Sequence, residues 1–168
     1  MSGEPTMTGI CVVEGPFPDN CIGCRTCELI CSMVHEGVIN SEKSRIRVRR
    51  EERHGFSYPV ACIQCADPEC AKVCPVGAIC ISGGAVAIDV DTCVGCGKCV
   101  PACPIGAIRL HPTTRKPIKC DLCGGVPQCI EWCPRKVLKL RRHQHGKPDY
   151  RVEPMLVNAI AELNGEES

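Results

Sequence analysis

The sequence predicts an α+β fold of short β-hairpins and short helices, built around bound inorganic groups rather than a large apolar core. Three observations point there. Sixteen of the 18 cysteines fall into four groups of four. Aromatic residues make up only 3% of the 168, so few large side chains exist to fill an interior. Gly (16) and Pro (14) punctuate the chain throughout, which disfavours long helices. So small a core needs staples, and bound metal supplies them in small metal-dependent domains.

The quartets are regular. Cys21, Cys24, Cys27 and Cys31 read C-x2-C-x2-C-x3-C. Cys62, Cys65, Cys70 and Cys74 read C-x2-C-x4-C-x3-C, followed by Pro75. Cys93, Cys96, Cys99 and Cys103 repeat the first spacing, followed by Pro104. Cys120, Cys123, Cys129 and Cys133 read C-x2-C-x5-C-x3-C, followed by Pro134. This is the ligand spacing of bacterial [4Fe–4S] clusters, and four quartets call for four of them.

Zinc is the competing reading, since C-x2-C pairs bind it commonly; its sites usually set two such pairs apart across a loop. A redox-active CxxC fits one pair but not four quartets. Disulfides belong to exported proteins. The opening MSGEPTMTGICVVEGPF lacks a basic region followed by a usable apolar one. No run approaches the ~18 apolar residues of a membrane span. Reduced thiolates on iron, in the cytoplasm and without membrane insertion, are therefore expected.

The elements follow from the punctuation. Residues 45–49 alternate, as a half-exposed strand does. Residues 78–81 and 85–88 flank Gly83-Gly84, a two-residue hairpin signal. Residues 108–110 run towards 117–119 across a TTRK turn. Residues 137–140 alternate and then meet a turn near Gly146–Asp149. A helix is expected over about 155–163, with Pro154 at its first position and Met155, Leu156, Ala159, Ile160 and Leu163 on one face. Residues 164–168 read as a frayed tail. One unit also repeats: CPVGAICI at 74–81 returns as CPIGAIRL at 103–110, with a looser CPRKVLKL after Cys133. It reads as a ligand loop, a proline turn and a short strand.

Formal net charge is +1 with thiols counted as neutral. Four oxidised clusters with their thiolates would carry the total to roughly −7. Lys and Arg then serve partly as counter-charge, which weakens a nucleic-acid reading of the basic residues 45–53. That stretch could also face solvent or dock a partner. Cys11 and Cys80 are left over and read as buried free thiols. His35, His111, His143 and His145 are not needed by any quartet and read as surface residues. Trp132, beside Cys133, is expected to shield a cluster. No Ser-His-Asp set and no Gly-rich nucleotide loop occurs, so no catalytic residue is assigned.

Residues 62–110 resemble a bacterial two-cluster ferredoxin. In such ferredoxins the fourth Cys of each quartet ligates the other cluster, because the turn after the third carries it away. The resemblance implies one cluster on Cys62, Cys65, Cys70 and Cys103, and another on Cys93, Cys96, Cys99 and Cys74. Applied to the outer quartets, it implies Cys21, Cys24 and Cys27 with Cys133, and Cys120, Cys123 and Cys129 with Cys31. The expected organisation is two interleaved ferredoxin-like units. Residues 17–58 with 111–152 form the outer one and residues 59–110 the inner one, and 153–168 make a C-terminal helix and tail.

All four quartets, in order over about residues 17–140, resemble the four-cluster electron-transfer subunits of molybdenum and tungsten oxidoreductases. Dimethyl sulfoxide reductase, polysulfide reductase and formate dehydrogenase have such subunits. The segment NCIGCRTCELICSMVHEGVIN, with KSRIRV after it, is most similar to the small subunits accompanying tungsten enzymes of the aldehyde oxidoreductase family. That family includes aldehyde oxidoreductases and the class II benzoyl-CoA reductase of anaerobes. The resemblance implies one-electron relay between a larger tungsten- or molybdenum-pterin catalytic subunit and a further donor or acceptor protein. A free polyferredoxin, or the iron–sulfur subunit of a dimethyl sulfoxide reductase-type, hydrogenase or carbon monoxide dehydrogenase complex, is the alternative. Two departures stand out. Ser32, not Pro, follows quartet one, so that exit is looser or helical. No quartet Cys is replaced, so no three-iron cluster is expected.

The dependence on bound clusters makes a first prediction. A chelated, cluster-free sample should show no cooperative melt by circular dichroism; a native-like melt would refute it.

Overall fold

The computed structural model describes residues 9–13, 21–52, 55–82 and 85–142, with backbone only at 9–13 and 141–142. The expected turn near 146–149, the helix at 155–163, the tail, His143 and His145 lie outside these residues. The elements in order are β1 (Gly9–Val13), α1 (Thr26–Glu36), β2 (Arg47–Glu51), β3 (Phe56–Val60), α2 (Glu69–Lys72), β4 (Ile79–Ser82), β5 (Ala85–Ile88), β6 (Arg109–Leu110), β7 (Pro117–Ile118), α3 (Gln128–Glu131) and β8 (Leu138–Arg142).

The strands form four separate two-stranded antiparallel sheets. Two are the hairpins read from turn chemistry. β4 pairs β5 with Ile79 opposite Ile88, and β6 pairs β7 with Arg109 opposite Ile118. The alternating stretch at 45–49 becomes β2, shifted by two residues and paired with β3, Arg47 opposite Val60. β3 buries Phe56, Tyr58 and Val60 in strict alternation. Pro59 is tolerated there because both strands of a two-stranded sheet are edges. The strand at 137–140 extends as β8, and its partner is β1, with Gly9 opposite Arg142 and Val13 opposite Leu138. That pairing closes the two ends of the described chain on each other.

α1 is the longest helix of the described residues, at 11 residues. It carries Cys27 and Cys31 on its buried face and runs on past Ser32, resolving the exit of quartet one as helical. Serine permits this because it keeps the backbone N–H that proline lacks. The Ser32 hydroxyl donates to the Leu29 carbonyl at 2.9 Å and accepts from Asn40 N–H at 3.0 Å, tying down the returning loop. Glu28 is 2% exposed, and its Oε1 accepts the Val48 N–H at 2.7 Å, fastening β2 to the helix.

The core is divided. One cluster of buried side chains joins Ile46, Phe56, Tyr58, Val60, Val137 and Leu138 to cysteines of quartets one, two and four. A smaller one joins Ile79, Val86 and Ile108 to Cys70 and Cys99. Gln64 bridges the two regions. It lies between Cys62 and Cys65 with φ of 54° and is 1% exposed. Its Nε2 donates to the Cys120 carbonyl at 2.8 Å, and its Oε1 accepts the Val86 N–H at 2.9 Å.

Gln64→Ala strands the buried Val86 N–H and takes from the Cys120 carbonyl one of its two donors, the other being Lys119. It should destabilise the iron-loaded protein by about 1–3 kcal/mol, read as a lower thermal midpoint; an unchanged midpoint would show that water replaces both bonds.

Candidate metal centres

Each site is built by the local turn that follows its cysteines. In the repeat, the residue three after the last Cys has a left-handed backbone: Gly77 (φ 64°), Gly106 (φ 61°) and, in the looser third copy, Lys136 (φ 52°). The turn closes through Gly77 N–H to Cys74 O (3.3 Å), Gly106 N–H to Cys103 O (3.1 Å) and Lys136 N–H to Cys133 O (3.1 Å). Glycine adopts this conformation at no steric cost. In the first two copies the turn aims the next N–H at sulfur: Ala78 to Cys74 Sγ and Ala107 to Cys103 Sγ, both at 3.3 Å. The repeat is thus a device for presenting N–H donors to a sulfur. At Cys74, burial pushes the thiol up, but the N–H groups of Val76, Ala78, Ile79 and Gly77 together outweigh it, and the thiol sits below its ordinary value.

Quartet one has no proline turn. The donor to Cys31 Sγ comes instead from Arg45 N–H, fourteen residues on, at 3.2 Å. In quartet four the longer loop carries Gly124 and Gly125, both at positive φ.

The structure brings the cysteines together across quartets. One cavity is lined by Cys21, Cys24, Cys27 and Cys133. A second is lined by Cys62, Cys65, Cys70 and Cys103. A third is lined by Cys93, Cys96, Cys99 and Cys74. Of the remaining four, Cys31, Cys120, Cys123 and Cys129, the first and last act as thiolates on both Cys120 and Cys123. Burial first, then repulsion from Cys129, Glu28 and Cys21, pushes Cys27 up to about 12. Burial and Cys62 push Cys70 up to about 11. Burial likewise raises Cys120, where Cys129 and Cys62 add to it. Such thiols are protonated at neutral pH without metal, so ligation must displace protons. The couplings also order the sites: Cys27 meets Cys129, and Cys120 meets Cys62.

Several side chains differ from expectation. His35 and His111 are not surface residues. His111 is 4% exposed, with Nε2 3.2 Å from Glu36 Oε2 and Nδ1 accepting from Thr113 and Thr114 N–H. His35 Nε2 lies 3.4 Å from Asp121 Oδ1 and 3.6 Å from Cys123 Sγ. Burial, with Arg45 nearby, holds its pKa below the ordinary value against Asp121 and Glu36. His35, Asp121 and Cys123 have metal-ligand atoms within 4.8 Å of one another. Asp121 is already engaged, though, by Arg45 at 2.5 Å and by the Cys123 N–H at 3.1 Å. The basic stretch therefore divides: Arg45 turns in to Asp121, while Arg47, Arg49 and Arg50 face outward. Trp132 is 58% exposed rather than buried over a sulfur site, because the short helix α3 ends just before it and leaves it largely on the surface. Cys80 is exposed, since only Ile79 of β4 faces the core. The Cys11 side chain lies outside the described atoms. No signal in the sequence singled out Gln64, Glu28 or Asp121.

Four sulfurs with N–H donors turned towards them, and no oxygen or nitrogen ligand required, fit an iron–sulfur cube. A family of 4Fe–4S dicluster domains matches residues 53–143, and a second pattern, also of 4Fe–4S dicluster domains, matches residues 20–79. The chain belongs to the 4Fe–4S dicluster domain family, and the two matches imply two clusters each. The aliphatic sulfonate oxidoreductase polyferredoxin-like subunit of Pyrococcus furiosus is 45% identical over 107 residues, which are 62% of this chain and 61% of that protein. The electron transport protein HydN of Escherichia coli is 39% identical over 95 residues, 54% of each chain. The chain thus matches between about half and three fifths of the length of these relatives. Among solved structures, a chain of the active site complex BamBC of benzoyl coenzyme A reductase, as isolated, is 25% identical at a TM-score of 0.48, covering 92% of this chain and 89% of that one. No helix among the described residues is long and apolar enough to cross a membrane.

Cys80 lies outside all four sets. Cys80→Ser should remove one rapidly alkylated thiol from the iron-loaded protein and leave its iron and acid-labile sulfide unchanged; lost iron would make Cys80 a ligand.

Proposed function

We propose that the chain relays single electrons through four [4Fe–4S] clusters as the iron–sulfur subunit of a larger oxidoreductase, with no catalytic site of its own. The carrying observation is the grouping of sulfurs across quartets. Three cavities each take three cysteines of one quartet and the fourth of another, and the remaining four cysteines cluster likewise. The proposed ligand sets are Cys21, Cys24, Cys27, Cys133; Cys62, Cys65, Cys70, Cys103; Cys93, Cys96, Cys99, Cys74; and Cys120, Cys123, Cys129, Cys31. Outer quartets exchange with outer and inner with inner, which supports interleaved units of 17–58 with 111–152, and 59–110.

The neighbouring sulfurs support an order for the relay. The Cys21 set adjoins the Cys120 set through Cys27 and Cys129. The Cys120 set adjoins the Cys62 set through Cys120 and Cys62. The Cys93 set adjoins the Cys62 set through the exchanged Cys74 and Cys103. At the two ends, Cys24 and Cys96 are exposed, so electrons would enter and leave there.

The partner we propose is a tungsten- or molybdenum-pterin catalytic subunit, of the aldehyde oxidoreductase or benzoyl-CoA reductase type. The similarity of residues 20–48 to the small subunits of those enzymes supports it, as does the subunit role of the Pyrococcus relative. The protein would work in the cytoplasm. HydN, an electron transport protein, favours the second reading of a carrier without a fixed partner.

Native size-exclusion chromatography with metal analysis separates the two. A stable complex containing tungsten or molybdenum is expected, with iron and sulfide for four cubes per chain. A lone brown monomer would move the assignment to the carrier.

A further inference from the structure

Lys119 is 4% exposed, and a buried ammonium is costly unless something compensates its charge. Its Nζ donates to the Cys120 carbonyl at 3.0 Å and reaches Gln64 Oε1 at 3.5 Å. Both acceptors are neutral. Among the described residues, no carboxylate lies within ion-pair distance of it. Arg45, by contrast, has Asp121, and the exposed Lys72 has Asp67 and Glu69.

The anions within reach of Lys119 are sulfurs. Its charge is felt at Cys70, where it favours the thiolate. Gln64, its second acceptor, sits between Cys62 and Cys65. Its first acceptor is the carbonyl of Cys120, whose own sulfur feels the charge of Cys62 across the junction. The ammonium therefore stands where the inner and outer cysteine sets meet. A cation there, without a carboxylate, is accounted for once the sets carry clusters of net negative charge.

We propose that Lys119 is the fixed counter-charge of this junction, holding up the reduction potentials of the two middle clusters, those of Cys62, Cys65, Cys70 and Cys103 and of Cys120, Cys123, Cys129 and Cys31. The inference rests on the cluster assignment proposed above. One electron from a low-potential carrier protein adds one negative charge to a cluster. No bond breaks, and the proton stays on Nζ. A nearby cation in a medium of low dielectric favours that added charge. Burial also protects it from salt, which screens the outward-facing Arg47 and Arg49. Lys119 is a positioning charge and need not touch any substrate.

The test is an EPR-monitored redox titration of the iron-loaded full chain, at low and high salt. Cys65→Ser and Cys123→Ser identify the signals of the two middle clusters. Lys119→Met should shift at least one of those signals negative by about 59 mV, a tenfold change in a one-electron equilibrium. The shift should be the same at both salt concentrations, and the end clusters should stay in place. Lys119→Arg should restore the potential. Lys119→Gln, which keeps a donor but no charge, should behave as Lys119→Met does. Wild-type potentials in Lys119→Gln would reduce the lysine to a hydrogen bond and overturn the proposal. So would iron loss from both neutral variants, which would make Lys119 purely structural. If instead Cys65→Ser or Cys123→Ser left every signal unaltered, the cluster assignment would fail, independently of Lys119.

Discussion

Negative charge on buried sulfur is the constraint on which the rest of the structure depends. Cys27, Cys31, Cys62, Cys70, Cys99, Cys120, Cys129 and Cys133 are all buried. Taking thiolates out of water costs free energy unless donors face them. At the half-buried Cys74 and Cys103 the proline turn supplies such donors locally: it stops the preceding helix and places a left-handed residue three positions on. It thereby points an N–H back at the sulfur. The turn residues, the short strands after them and the small helices before them are consequences of that one requirement.

Where the local device is missing, the structure supplies a distant one. Quartet one lacks the proline, its helix continues, and its last sulfur receives an N–H from Arg45. The same residue's guanidinium holds Asp121, which in turn holds the backbone of Cys123. One arginine thus serves two cysteines of the same set, one through its backbone and one through a carboxylate. Glu28 does comparable work from the same buried face of the helix, accepting the backbone N–H of Val48 in β2. Charge compensation and tertiary closure are carried by the same few side chains.

This economy explains how a chain with five rings in its aromatic inventory holds together. Its apolar clusters are small and are completed by cysteines. Four two-stranded sheets, each only edges, would be marginal alone. Fastened through apolar clusters that cysteines of several quartets join, through Gln64 and through the β1–β8 pairing, they form a scaffold that orders the proposed relay from Cys24 at one end to Cys96 at the other.

The sequence by itself determined the quartets, their exchange of fourth cysteines as an expectation, the β4–β5 and β6–β7 hairpins, and the helical option at Ser32. All are local: a spacing, a two-glycine turn or a missing proline is visible within a few residues. The tertiary structure alone decided the pairing of β1 with β8, since Val13 and Leu138 lie at opposite ends of the described chain and no local pattern marks such partners. It also decided that Trp132 and Cys80 face outward while His35 and His111 turn in. Which face of a short element meets the core depends on what packs there. The roles of Gln64 and Lys119 were illegible for the same reason: a buried polar group is defined by its partners, and Gln64 meets Val86, Lys119 and Cys120 from far along the chain.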